Sequence, residues 1–177
     1  ADDTGRILAL AAAVERNSEH PLGRAIVEEA EAREVAISEV QAFEASPGRG
    51  VRATVTESGE TVLVGTTDFL DHEGVERPGE LLNRKEAFES EGKTAMWVVA
   101  GGAVVGLIAV ADRLKSDSIA AVAELARMGF ETAMITGDNE RTAAAIARKV
   151  GIDRVIADVM PGDKAAEVKR LQEEIGR

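Results

Sequence analysis

The 177-residue sequence has no cysteine, which excludes a disulfide frame, a zinc–thiolate site and a thiol nucleophile. Tyrosine is absent too, and aromatic residues are 3% of the chain: Trp97 and four phenylalanines. A core must therefore come mostly from Ala, Val, Leu and Ile. Histidine occurs twice, as His20 and His72, too few for a His-rich metal site. No apolar run reaches the ~18 residues of a bilayer span and no secretory leader pattern is evident, so the sequence reads as cytoplasmic. Positive charge is scarce: 21 Lys and Arg stand against 32 Asp and Glu, a formal net charge of −11. That balance argues against nucleic acid or an anionic membrane as the main partner. The deficit is uneven. Residues 1–111 hold 20 acidic and 10 basic side chains, whereas 112–177 hold 12 and 11. The near-neutral part is the better place to handle phosphate.

The length suits one domain or two small ones, and two kinds of pattern are present. Residues 4–16 and 21–33 carry apolar stripes at helical spacing (Ile7, Leu8, Leu10, Ala11, Val14; Leu22, Ala25, Ile26, Ala30) and predict a helical hairpin. Strand-like runs follow at 40–44, 51–56 and 61–65, the last two joined by Glu57-Ser58-Gly59-Glu60. A helix over about 79–91 stops at Gly92, and apolar strands at 94–99 and 104–110 flank Ala100-Gly101-Gly102. Tight turns between consecutive strands mean an antiparallel sheet. Beyond Ala111 the pattern alternates: helix 116–128, strand 132–136, helix 141–150 capped by Gly151, strand 155–157, and a last helix from Pro161 through Ile175. Such alternation signals a parallel α/β sheet. The expectation is an α+β unit over 1–110, an antiparallel sheet flanked by helices, then an α/β unit over 112–177, with a hinge near 109–114.

Four stretches have the composition of binding sites. In Ser18-Glu19-His20-Pro21-Leu22, proline suits the first position of a helix. Glu19 and His20 then stand at the partly positive helix entrance. A carboxylate beside an imidazole offers an acceptor and a donor to a heteroaromatic edge; a helix cap with a solvated histidine accounts for the same residues. Thr136-Gly137-Asp138-Asn139 ends a parallel strand, where open α/β sheets bind ligands. Hydroxyl, glycine and carboxylate ahead of a helix suit phosphate with Mg²⁺; a plain turn would use Asp138 or Asn139 as N-cap. Lys164, at the start of the last helix, opposes the helix dipole. A phosphoryl group would account for it, and so would a solvated lysine paired with Asp163 or Glu167. Gly48-Arg49-Gly50 offers backbone N–H groups and a guanidinium to a polyphosphate, or is an ordinary turn. Trp97 and Phe43 alternate into apolar strands and read as core.

Together these residues resemble the heavy-metal-transporting P-type ATPases, in their cytoplasmic ATP-binding region. Residues 11–22 (AAAVERNSEHPL) are similar to the family's nucleotide-domain signature and 47–51 (PGRGV) to its glycine loop. Residues 134–141 (MITGDNER) and 160–172 (MPGDKAAEVKRLQ) are similar to two segments of its phosphorylation domain, whose fold is haloacid-dehalogenase-like. The resemblance implies a nucleotide-binding domain over 1–110, and a partial, Rossmann-like phosphorylation domain over 112–177. It implies ATP or ADP with Mg²⁺. Glu19 and His20 would sit at the adenine, and Gly48, Gly50 and Val51 would line the rest of the pocket. Gly65 matches as well, although Thr66 follows where the family has asparagine. Thr136, Gly137 and Asp138 would meet phosphates and Mg²⁺, and Lys164 would stabilise the transferred phosphoryl. Asp112, within 111–115, resembles the hinge segment.

The departures are equally specific. The family's phosphorylated aspartate lies in Asp-Lys-Thr-Gly-Thr, and Mg²⁺ is held by a later Gly-Asp-Gly-x-x-Asn-Asp; neither segment occurs here. The reading is an internal slice of a copper- or zinc-type exporting pump that binds nucleotide without turning it over. Its partners would be the membrane helices, the actuator domain and the rest of the phosphorylation domain. A haloacid-dehalogenase-like phosphatase with a large cap and a non-enzymatic nucleotide sensor are the alternatives. The second unit's core is expected to be too small to stand comfortably alone.

Overall fold

The computed structural model describes residues 3–111 and 116–175. Its elements are α1 (Asp3–Glu15), α2 (Pro21–Ala32), β1 (Val40–Ser46), β2 (Gly50–Val55), β3 (Thr61–Gly65), α3 (Thr67–His72), α4 (Gly79–Ser90), β4 (Lys93–Ala100), β5 (Ala103–Ala111), α5 (Ser116–Arg127), β6 (Ala133–Ile135), α6 (Glu140–Val150), β7 (Arg154–Ile156) and α7 (Lys164–Ile175). Two compact units form: Ala1–Glu86 with Ala95–Val110, and Ala87–Thr94 with Ala111–Arg177. The division is not a single cut near residue 111, because the end of α4 and the start of β4 group with the C-terminal unit. Residues 112–115 of the expected hinge, Asp112 among them, lie outside the described residues.

In the first unit five strands lie in the order β1-β2-β3-β4-β5, with antiparallel pairing from β1 through β4. Successive side chains of a strand point to opposite faces, and here both faces are covered. Val62, Val64, Met96 and Val98 join a cluster with Leu8 and Val14 of α1 and Ile26 of α2. Their neighbours Leu63, Trp97 and Val99 join Phe69 and Leu70 of α3 in a second cluster. Two-sided burial is why β3 and β4 are apolar at consecutive positions. Helix α3 went unnoticed in the sequence: six residues are too few for a 3.6-residue period to emerge. It is fixed locally by Thr66, whose Oγ1 accepts from the Phe69 N–H at 3.3 Å. Strand β1 runs two residues beyond the expected end and carries a register shift between Gln41 and Glu44, with Ala42 at φ 52°.

In the second unit β6 and β7 pair in parallel, Met134 opposite Val155. Helix α6 is bounded by Asn139, whose side chain accepts from the Thr142 N–H, and by Gly151 in the left-handed conformation. Its inner face is Ala143, Ala145, Ala147 and Val150. Helix α7 begins at Lys164 rather than Pro161. Residues 160–163 form a turn closed by the Asp163 N–H donating to Met160 O at 2.9 Å.

Candidate functional site

The candidate residues divide between the two units: Glu19, His20, Gly48, Gly50, Val51 and Gly65 in the first, Thr136, Gly137, Asp138 and Lys164 in the second. In the first, α1 ends at Glu15 and the chain turns as the Ser18 N–H donates to Glu15 O at 2.8 Å. His20 caps α2 in extended conformation, with Pro21 beginning the helix. Its Nδ1 accepts from the Leu22 N–H at 3.3 Å, so in the neutral ring Nε2 carries the proton. The His20 N–H donates to Ser18 Oγ at 3.2 Å. His20 and Glu19 are both exposed, and Glu19 makes no hydrogen bond or ion pair among the described residues.

Beneath this corner lies a residue the sequence reading passed over. Glu15 is 5% exposed, and its Oε2 is buried without a hydrogen-bond partner. Burial pushes its carboxyl above the ordinary carboxylate range, and a hydrogen bond from Ser18 pulls the other way. Gly23 keeps the space open, since a Cβ there would strike Glu15 Oε2. A signal was available: Glu15 lies four residues after Ala11 and seven after Leu8, on the apolar stripe of α1, where a carboxylate has no reason to be unless it faces something.

The glycine loop resolves into three separate causes. Pro47-Gly48 are the central residues of a turn closed by the Arg49 N–H donating to Ser46 O at 3.0 Å; Gly48 has φ 72°, as the third position of a type II turn requires. Gly50 and Gly65 oppose each other across β2 and β3. A Cβ at Gly50 would come within 2.7 Å of Gly65 Cα and 2.8 Å of the Phe69 ring, and one at Gly65 within 2.5 Å of that ring. Close packing on Phe69 is sufficient reason for both glycines. Val51 is 6% exposed and packs into the same core cluster as Leu22. Thr66, the departure from the family pattern, caps α3, and its N–H donates to Arg49 O at 2.8 Å.

In the second unit, Thr136 Oγ1 donates to Asp138 Oδ2 at 2.8 Å and accepts the Asp138 N–H at 3.1 Å. Thr94 Oγ1 donates to the other oxygen, Oδ1, at 3.2 Å. The Val159 N–H donates to Thr136 O and the Asp158 N–H to Asp138 O, at 3.0 and 2.9 Å. Gly137 is exposed and lies close to Val159 O. Lys164 is exposed at the first position of α7 and has no hydrogen bond or ion pair to Thr136 or Asp138 among the described residues. Thr136, Gly137 and Asp138 are thus brought together, and Lys164 follows five residues after Val159 without joining them. A cavity of about 370 Å³ lined by Phe130, Thr132, Arg154 and Leu171 opens at the amino ends of β6 and β7. Ligands of parallel sheets sit at the opposite ends, so this cavity is set aside.

No group of three or more potential ligating side chains occurs among the described residues. The Asp138 carboxylate is nonetheless a hard oxygen donor with a lone pair to spare on each oxygen. It fits an ion such as Mg²⁺, which is commonly held by one or two carboxylates together with substrate phosphates.

The chain is similar to known proteins. A family model described as haloacid dehalogenase-like hydrolase matches residues 3–177. A probable copper-exporting P-type ATPase V of Mycobacterium tuberculosis is 49% identical over 169 residues, covering 96% of this chain and 22% of that protein. The crystal structure of a zinc-transporting PIB-type ATPase aligns with TM-score 0.61 at 36% identity, over 96% of this chain and 27% of that one. The N-domain of a copper-transporting P-type ATPase aligns with TM-score 0.51 at 28% identity, over 60% of this chain and 89% of that domain. The chain spans about a fifth of the length of the curated relatives it matches. It belongs to the haloacid dehalogenase-like hydrolase family, and its similarity is to the copper- and zinc-transporting P-type ATPases.

Proposed function

We propose that this chain is the adenine-nucleotide-handling part of the cytoplasmic region of a metal-exporting P-type ATPase, with residues 1–110 as nucleotide-binding domain and 112–177 as part of the phosphorylation domain. The observation that carries the reading is Glu15 Oε2, a buried acceptor without a donor. A buried polar atom without a partner costs roughly 1–3 kcal/mol, and an incoming donor would relieve that cost. The exocyclic amino group of adenine is such a donor; guanine presents a carbonyl at that position and would set acceptor against acceptor. His20, held by Leu22 through Nδ1, offers its Nε2 proton from the helix entrance, and Glu19 lies beside it at the surface. On this reading Gly48, Gly50, Val51 and Gly65 would line the rest of the nucleotide pocket.

At the other end of the nucleotide, Thr136, Gly137 and Asp138 would take the phosphates and Lys164 would offset their charge. Asp138 is the residue that would hold Mg²⁺, and the ion would supply neutralisation of the phosphates' negative charge. The chain's part is positioning and charge neutralisation. The sequence contains no Asp-Lys-Thr-Gly-Thr segment, so the phosphoryl acceptor belongs to the remainder of the pump, as do the membrane helices and the actuator domain. No described helix is long and apolar enough to cross a membrane, in keeping with a cytoplasmic place for this part.

Calorimetric titration with ATP, ADP and GTP tests the reading. ATP and ADP should bind alike and GTP about 10- to 100-fold more weakly, since a hydrogen bond to a charged group is worth roughly 1.5–3 kcal/mol. Glu15→Gln should erase that preference and His20→Ala should weaken all three. Equal affinity for ATP and GTP in the unaltered protein would overturn it, as would steady phosphate release abolished by Asp138→Asn.

A further inference from the structure

Residues 87–94, the end of α4 and the start of β4, group with the second unit although the rest of both elements belongs to the first. Their side chains and carbonyls converge on the 136–142 segment. Glu89 is 3% exposed; its Oε1 accepts from Asn139 Nδ2 at 3.0 Å and its Oε2 from Arg141 Nη1 at 3.4 Å. Lys93 O accepts from Thr142 Oγ1 at 3.0 Å, and Thr142 is 1% exposed. Thr94 completes the set by donating to Asp138 Oδ1. The cap of α6 and the carboxylate before it are therefore held from outside their own strand–helix turn.

We propose that Thr94 is a positioning residue for Asp138, with Glu89 fixing the helix start behind it. With Thr136 on Oδ2 and Thr94 on Oδ1, the carboxylate plane is set by two hydroxyls on different segments. One lone pair on each oxygen is left for a divalent cation. Thr136 alone restrains the carboxylate through Oδ2 only; Thr94 adds a second restraint through Oδ1, from a segment outside the turn. Partners of a metal-ligating carboxylate typically matter 10–100-fold in metal affinity. The inference rests on reading 136–138 as the phosphate and cation turn, and goes beyond it by assigning a residue outside that turn.

The test is a titration of the 177-residue chain with Mn²⁺, alone and with ATP, following paramagnetic broadening of the 136–139 backbone amides. Nucleotide shifts at 15–23 are followed separately. Thr94→Val keeps the shape and removes the hydroxyl; Thr94→Ser restores it. Thr94→Val should need about tenfold more Mn²⁺ for the same broadening, with shifts at 15–23 and Trp97 fluorescence unchanged, and Thr94→Ser should return to the original midpoint. Unchanged or tighter Mn²⁺ binding in Thr94→Val overturns the proposal, as does absence of broadening at 136–139 in the unaltered chain. If nucleotide leaves 15–23 unmoved while the Thr94 series behaves as stated, the purine reading fails and the positioning role stands. Should Thr94→Val lose its Trp97 signal, Thr94→Ala decides by the same midpoints.

Discussion

In the first unit, Trp97, Phe69, Leu70, Val62, Val64 and Val98 are at most 2% exposed, locked on the two faces of one sheet. In the second, the buried apolar positions are mostly alanine, and Ile119, Leu125, Met128, Phe130, Met160 and Val168 are 41–62% exposed. Large interlocking side chains define the first unit. In the second, the geometry around α6 comes instead from hydrogen bonds: Glu89 to Asn139 and Arg141, Thr142 to Lys93, Thr94 and Thr136 to Asp138. The difference matters for the sites. A packed unit can hold a carboxylate oxygen buried and unpartnered, as it does Glu15 Oε2. A unit ordered by polar contacts can re-aim a carboxylate by exchanging one partner.

The contrast is broken most forcefully at Phe69. Its ring packs with Trp97 and lies beneath the Gly50–Gly65 pair, so Phe69→Ala removes core volume and the support of two strands at once. A loss of about 3–5 kcal/mol is expected for such a truncation. Trp97 is the only tryptophan, and its fluorescence reports the transition in denaturant. A loss below 1 kcal/mol would mean that the second cluster does not carry the sheet.

Patterns of regular spacing made most of this legible. The helical hairpin, the antiparallel strands, the glycine turns and the strand–helix alternation all follow from periods of 3.6 and 2 with glycine between. What escaped was non-periodic. Helix α3 is one and a half turns long. Pro161 looked like a helix start, but the chain makes one more turn before Lys164. Glu15 was hidden by its own helix, because an acidic residue among alanines looks like a solvated position until the sheet covers it. Thr94 and Glu89 have no local signal: their partners lie 44 and 50 residues away in sequence, and only the fold brings them together. Gly50 and Gly65 invite a ligand-based explanation, and their packing against Phe69 supplies another.

A smaller effect separates the units by pH. Burial holds Glu15 above its ordinary value of 4.5, so the folded chain binds that proton more tightly than the unfolded chain. Its stabilising contribution is full below pH 4.5 and is lost as pH rises through the elevated folded value. Stability of the first unit, read by Trp97 fluorescence, should therefore decline across that interval. Glu15→Gln should flatten the decline and be about 1 kcal/mol more stable at neutral pH, the low end for relieving an unsatisfied buried polar atom. The same change should weaken ATP binding, so stability and binding move in opposite directions. Parallel pH profiles for the two proteins would show that Glu15 is solvated or paired in solution.

The smallest effect is expected where the second unit exposes apolar surface. Phe130 is 54% exposed, so Phe130→Ser gives up little burial and opens no closed cavity. Stability should stay within about 0.5 kcal/mol, the usual range for surface substitutions, with hydrogen-exchange protection of the α6 amides as the measure. The same ring is more than half wet in the folded chain, and replacing it should raise solubility, because exposed apolar area drives association. A loss of several-fold in α6 protection would mean that Phe130 is part of a closed core in solution. The contrast between a unit held by packing and one held by hydrogen bonds would then have to be drawn more narrowly, around Glu89, Asn139 and Thr142 alone.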